Sequence, residues 1–289
     1  MIIEFENVDH VYDDGAAAGV RALSDINLKV RDDEFIGVIG ATGSGKSTLV
    51  QHMNGLLKAS SGKITFDGRN IYDKDFSLRK LRDHVGLVFQ YPEHQLFEMT
   101  VFDDVCFGPK NQKLDPEEVK IRATEALKMT GVGEEYYDAS PFDLSGGQKR
   151  RVAIAGVLAM QPDVLILDEP AAGLDPAGKT EIFESVRTLK KNSRITVILV
   201  SHSMEDVAEY VDRLIVMDNG RIAFDDTPVN VFKNVEKLES IGLAAPEVSY
   251  VMRDLKEAGF DVSQDILTVD DAVDEILRAL GSKTDPGDR

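Results

Sequence analysis

A single cysteine, Cys106, stands among the 289 residues. No internal disulfide can form, which suits a reducing compartment, and the thiol is expected to be a small buried hydrophobe. Basic residues are scarce as well: 33 Lys and Arg against 51 Asp and Glu leave a net charge of −18. That deficit excludes the basic face needed to hold nucleic-acid phosphate without sequence preference, and leaves open nucleotide binding, which a few local groups decide. No apolar run approaches the ~18 residues needed to span a bilayer, so action at a membrane requires a partner. The opening Met1-Ile-Ile-Glu-Phe-Glu6 lacks the basic region and apolar stretch of a signal peptide. There is no internal repeat and no low-complexity linker. The length suits one large domain, or one of ordinary size with an appendage.

The stretch that organises the rest is Gly40-Ala41-Thr42-Gly43-Ser44-Gly45-Lys46-Ser47. It follows the apolar run 35–39 and precedes a helix expected over 48–57, so G-x-x-x-x-G-K-[ST] falls at a strand-to-helix turn, where it forms a phosphate cradle. Gly40, Gly43 and Gly45 permit backbone angles closed to other residues, so successive N–H groups converge on an anion at a helix N-terminus. Lys46 supplies a cation for the β- and γ-phosphates, and Ser47 a hydroxyl for Mg²⁺.

Strands are expected over 2–11 and 20–30, flanking a loose loop at 13–19, then at 63–66, 85–89, 164–167 and 195–200, with a hairpin turning on Asn219-Gly220. The runs at 164–167 and 195–200 read as core strands of a parallel sheet. Asp115, Pro116 and Glu118 predict a capped helix start with a closed capping box. Leu144-Ser145-Gly146-Gly147-Gln148 opens a helix rich in alanine and aliphatics, a second glycine-rich helix N-terminus about a hundred residues beyond the first. Helices are also expected over 177–191 and beyond 228, where Val248, Val251, Met252 and Leu255, then Val273, Ile276, Leu277 and Leu280, recur at helical spacing. Residues 282–289 read as a frayed tail.

A cradle, a strand ending in Asp168-Glu169 and a strand ending at His202 point to nucleotide hydrolysis, because phosphoryl transfer needs a metal, a carboxylate to orient it and a group that places the attacking water. Asp168 suits the metal, Glu169 the water as catalytic base, and His202 the γ-phosphate or the alignment of Glu169.

With 144–148 included, the chain resembles the ATP-binding cassette ATPases over 2–226. The Walker A stretch is 40–47, with Thr48 beside it, the Q-loop residue Gln90, the signature 144–148, Walker B 164–168, the D-loop 172–175 ending at Asp175, and the switch residue His202. The resemblance implies an α/β P-loop NTPase fold: a RecA-like core with an antiparallel β subdomain and an α-helical subdomain at about 91–160, all within 1–227. A helical appendage over 228–281, with dimerisation as one role, and a tail complete the chain. It implies ATP and Mg²⁺ as ligands, with Ser47, Gln90 and Asp168 around the metal and Tyr12 stacked on the base. It also implies a head-to-tail dimer in which Ser145 and Gly147 close the partner's site. Gln90-Tyr-Pro-Glu-His-Gln-Leu-Phe-Glu98 and the run 140–160 are similar to the second type of energy-coupling factor ATPase. This implies a related ATPase as partner, a transmembrane scaffold and a membrane substrate-capturing subunit for vitamins or metal ions, at the cytoplasmic face of the cell membrane, with no nucleic acid. Glu93 and Glu98 are the acidic candidates to receive the scaffold. Dedicated cobalt or nickel importers are close relatives and stay open as alternatives. A nucleic-acid or ribosome cassette would need basic faces, and a coiled-coil insertion or tandem cassettes, that this chain lacks. Ala41, Asp33 and Ala171 depart from the usual histidine, glycine and threonine, and none removes a catalytic group.

Overall fold

The computed structural model describes residues 3–13 and 19–281. The centre of the loop expected at 13–19 and the tail from 282 lie outside them. Among the described residues ten strands form two sheets: β1 (Ile3–Tyr12), β2 (Val20–Val30), β3 (Phe35–Gly40), β4 (Ser61–Phe66), β5 (Arg69–Asn70), β6 (Val85–Val88), β7 (Val164–Asp168), β8 (Thr196–Val200), β9 (Arg213–Asp218) and β10 (Arg221–Asp226). The smaller sheet is antiparallel, in the order β2-β1-β4-β5. The larger runs β10-β9-β3-β8-β7-β6 and is parallel except at β10. Every residue of β3, β7 and β8 is buried, as both faces of a parallel sheet are covered. Side chains alternate between two cores: Ile36 and Val38 of β3, with Ile198 and Val200 of β8, face the antiparallel sheet, whereas Phe35, Ile39, Val197 and Leu199 face the helices.

The helices are α1 (Lys46–Met53), α2 (Leu78–His84), α3 (Val101–Asn111), α4 (Pro116–Met129), α5 (Gly146–Leu158), α6 (Pro176–Asn192), α7 (Met204–Tyr210), α8 (Pro228–Phe232), α9 (Val235–Ser240), α10 (Glu247–Glu257) and α11 (Val269–Gly281). α3 has no clear signal in the sequence because Gly108-Pro109 reads as a break. It forms because Thr100 caps it, accepting from Asp103 N at 3.1 Å, and because Gly108 admits Met160, whose Cγ lies 2.6 Å from where a Cβ would stand. Asp115 does cap α4, but through the N–H of Glu117 at 2.9 Å. Glu118 takes Arg122 one turn on, at 2.7 Å, instead of closing a capping box.

Gly86 decides how closely α5 lies on the sheet. A Cβ there would stand 2.6 Å from Val157 Cγ1 and 3.2 Å from Pro162 Cγ. Gly86→Ala is expected to cost about 1–3 kcal/mol through overpacking, read as a lower urea midpoint at unchanged slope.

Beyond β10 the chain does two different things. α8 and α9 join the main core through Val231, Phe232 and Leu238, and the segment after α9 through Leu243 and Ala245. α10 and α11 close a small core of their own on Met252, Val262, Ala272 and Ala279. The separate core thus starts some twenty residues after Pro228, where the change of sequence character placed it. Of the residues at helical spacing, Met252 is fully buried, whereas Val251, Val273, Leu277 and Leu280 are about half exposed or more.

Candidate active site at the ends of β3, β7 and β8

The loop from Gly40 to Gly45 follows a track open only to glycine at its key points. Gly40, Gly43 and Gly45 have φ of 155°, 81° and 105°. A Cβ at Gly40 would stand 2.4 Å from Met217 O, and one at Gly45 2.5 Å from Ala22 O. Lys46 is buried and arches back over the loop, its Nζ donating to Gly40 O at 2.8 Å and Ala41 O at 3.1 Å. Burial pushes its ammonium pKa below the ordinary value, against the opposing pull of Glu169 and Asp168. The Ser44 hydroxyl is buried without a hydrogen-bond partner, a donor held ready for an anion inside the loop. A buried cation, an orphaned hydroxyl and a glycine track at a helix N-terminus fit a polyphosphate.

β7 ends on Asp168, whose carboxyl is pushed up by burial and drawn down by the Ser47 hydroxyl and the Lys46 charge. Ser47 and Asp168, far apart in sequence, therefore lie close enough for the hydroxyl to act on the carboxyl, two hard oxygen donors of the kind Mg²⁺ takes. The next residue, Glu169, bends away with φ 53° while its N–H still donates to Val200 O of β8 at 3.0 Å. Its carboxyl is pushed up to about 7, first by burial and then by Asp168. His202 Nε2 lies 3.1 Å from Glu169 Oε1. That contact lacks hydrogen-bond geometry, so Oε1 stays buried with its accepting capacity unused. Burial lowers the His202 imidazole, which favours the neutral ring.

Pairing of Val88 with Leu167 brings the end of β6, and Gln90 two residues on, to the same edge of the sheet as Asp168. Tyr12 is anchored beside α1 by its hydroxyl, 3.1 Å from Thr48 Oγ1, and packs edge-on against His10. About two-fifths of its surface stays open. Ala41, Thr42 and Gly43 are exposed on the loop's outer side.

Leu144 is buried and anchors the signature turn. Ser145 caps α5, accepting from Gln148 N at 3.3 Å, while Gln148 Oε1 accepts from Ser145 N at 2.9 Å. Asp175 caps α6 by accepting from Gly178 N at 2.8 Å. Asp33, in the place of a customary glycine, takes a left-handed φ of 60° and is held by an ion pair to Lys190.

Glu93 is not a free acidic group: it is engaged by Arg150, Nη2 to Oε1 at 2.8 Å and Nε to Oε2 at 3.1 Å. Arg150 was absent from the sequence reading, because a basic residue two positions past the signature gives no sign that it points inward. Glu98 is only partly exposed, with its N–H held by Asp104 Oδ2 at 2.9 Å.

A glycine-tracked loop at a strand-to-helix turn, with two carboxylates at the neighbouring strand end, defines a P-loop ATPase, and the family model described as "ABC transporter" matches residues 23–172. Energy-coupling factor transporter ATP-binding proteins EcfA2 of Caldanaerobacter subterraneus subsp. tengcongensis and Clostridium tetani are each 52% identical, over 97% and 98% of this chain and 98% and 99% of theirs. Among solved structures, cbiO1 of Clostridium perfringens, part of the ABC transporter complex cbiONQ, matches at TM-score 0.73 and 42% identity, over 87% of this chain and 98% of that one. A dimeric ATP-binding cassette in a post-hydrolysis state bound to ADP and Pi matches at TM-score 0.70 and 30% identity, over 78% and 98%. The chain belongs to the EcfA2 family of ABC ATPases, transport-coupled ATPases that bind ATP.

Proposed function

We propose that this chain hydrolyses Mg-ATP at the cytoplasmic face of the cell membrane, as one of two related ATPase heads that drive a transmembrane scaffold and its substrate-capturing subunit in the uptake of vitamins or other micronutrients. The observation that carries the hydrolytic half is the Ser47–Asp168–Glu169 arrangement. Lys46, the loop N–H groups and Ser44 hold the polyphosphate, Tyr12 meets the base, and Glu169 accepts a proton from the attacking water, with His202 beside it to contact the γ-phosphate or align that carboxylate. Ser47, Asp168 and the Gln90 amide oxygen would hold Mg²⁺, which when bound neutralises charge on the phosphates.

Head-to-tail pairing is supported by Gly146 and Gly147. A Cβ at Gly146 would meet nothing within 4 Å, and one at Gly147 only Leu174 Cδ2 at 4.0 Å. Nothing in this chain requires glycine there, whereas a second head's phosphate brought against the α5 N-terminus does. Val269, Val273, Leu277 and Leu280 form one exposed stripe on α11, suited to a related head.

Scaffold docking falls to a groove of about 750 Å³ between α2, α3, α5 and the 95–97 segment. It includes Leu96, Phe97, Phe107, Val157 and Met160 with Arg79, Arg82 and Asp83. Phe97 and Phe107 are 56% and 42% exposed and pack edge to face at 4.9 Å, apolar surface that folding leaves uncovered. Glu98, beside Phe97, is the acidic group left for a basic partner.

Purification of the tagged chain from membranes is expected to bring down a related ATPase and integral membrane proteins. Phe97→Asp is expected to remove most of the membrane subunits at unchanged ATP affinity. Recovery of only soluble nucleic-acid-bound partners would overturn the transport reading.

A further inference from the structure

Arg150 heads the fully buried side chains by size, at 2% exposure, and it lies outside the residues assigned to ATP. Its five donors are almost all spent, and they are spent on two separate segments. Nε and Nη2 grip both oxygens of Glu93, while Nη1 donates to Pro170 O at 3.1 Å and to Ala172 O at 2.6 Å. The guanidinium also lies over the Tyr91 ring, 5.8 Å from its centre. Thus one rigid fork on α5 joins the segment just after Gln90 to the turn that carries Glu169. That turn is strained: Glu169 has φ 53°, and Tyr91 across the fork has φ 57°. A non-glycine residue in this region needs its surroundings to hold it. The hydrogen bonds holding the residues after Glu169 include the two from Arg150 and the turn bonds Ala172 N to Glu169 O and Leu174 N to Ala171 O, while Ala171 and Leu174 also pack against the main core.

We propose that Arg150 is a positioning residue for hydrolysis, setting the Glu169 turn against the 91–95 segment so that displacement of that segment moves the hydrolytic carboxylate. The proposal rests on the assignment of Glu169 to the attacking water. It adds a physical link between that residue and the groove beside Phe97, since 92–95 packs directly on α5. An Arg is required and a Lys does not suffice: a point charge can satisfy Glu93 but cannot also donate to two carbonyls in a fixed plane. Removing the link displaces the base without touching the phosphate loop, so turnover falls while nucleotide affinity holds.

The test compares Arg150→Lys and Glu93→Gln in the full chain assembled with its partners, reading kcat, KM for ATP and the thermal midpoint. Arg150→Lys is expected to lower kcat by about tenfold or more at nearly unchanged KM and midpoint, since an error of about 1 Å at a base costs up to about a hundredfold. Glu93→Gln, of the same shape, keeps one hydrogen bond and is expected to show the same split to a smaller degree. Unchanged kcat in both variants, or kcat and midpoint falling together, would overturn the proposal. Glu169→Gln separates this from the assignment beneath it: continued turnover in that protein removes the role of Glu169 itself, whereas a dead Glu169→Gln with normal kcat in both clamp variants removes only the role of Arg150.

Discussion

Glu169→Gln is expected to lower ATP turnover at this site by about 10²–10⁴-fold while ATP still binds. The substitution keeps the size of the side chain and removes the carboxylate that the proposed function assigns to the attacking water. The carboxyl titrates at about 7, because burial and the Asp168 charge disfavour its ionised form. As a base it must be ionised, so wild-type turnover is expected to rise with pH through about 7 and to level off above it. Stability has the opposite sign. The folded carboxyl holds its proton more tightly than the unfolded one at 4.5, so its contribution is present below about 4.5 and is lost as pH rises through about 7, at most about 3 kcal/mol. Glu169→Gln, which carries no charge, is therefore expected to be more stable than wild type at pH 8 and to lose that advantage near pH 4.5. Single-turnover ATP cleavage and urea midpoints at the two pH values measure both effects. Cleavage at the wild-type rate would remove Glu169 from the mechanism.

Lys46→Met is expected to weaken ATP binding by roughly thirty- to a thousandfold while leaving the fold as stable as before or slightly more so. Hydrogen bonds between charged groups in a partly desolvated site contribute about 2–4 kcal/mol, and the substitution removes them while the loop N–H groups remain. Folding has less to lose, because burial already disfavours the Lys46 ammonium and a methionine of similar length fills the same channel without a charge. The measurements are equilibrium titration with a fluorescent ATP analogue and a urea melt. A large drop in stability with unchanged affinity would show that the lysine serves the loop's own carbonyls, Gly40 O and Ala41 O, and not the phosphates.

Contiguous chemistry was legible before any coordinates. The phosphate loop draws its action from consecutive backbone N–H groups, so Gly40 to Ser47 declares itself in eight residues. The same holds for the glycine-rich helix N-terminus at 144–148 and for Asp168-Glu169 at the end of an all-apolar strand. β2, β7 and the Asn219-Gly220 hairpin followed from period and turn chemistry. α3 did not, because a local Gly-Pro signal was overridden by packing against α5.

By itself the sequence determined which groups could do the chemistry, since glycine spacing, helix capping and strand period are properties of neighbours along the chain. Tertiary structure alone decided how those groups are disposed. It bound Glu93 to Arg150, 57 residues away, raised Glu169 to about 7 by burying it beside Asp168, set Ser47 on Asp168, and drew α8 and α9 into the main core while α10 and α11 closed a separate one. Each of these depends on distance through space and on exclusion of water, which no reading along the chain contains.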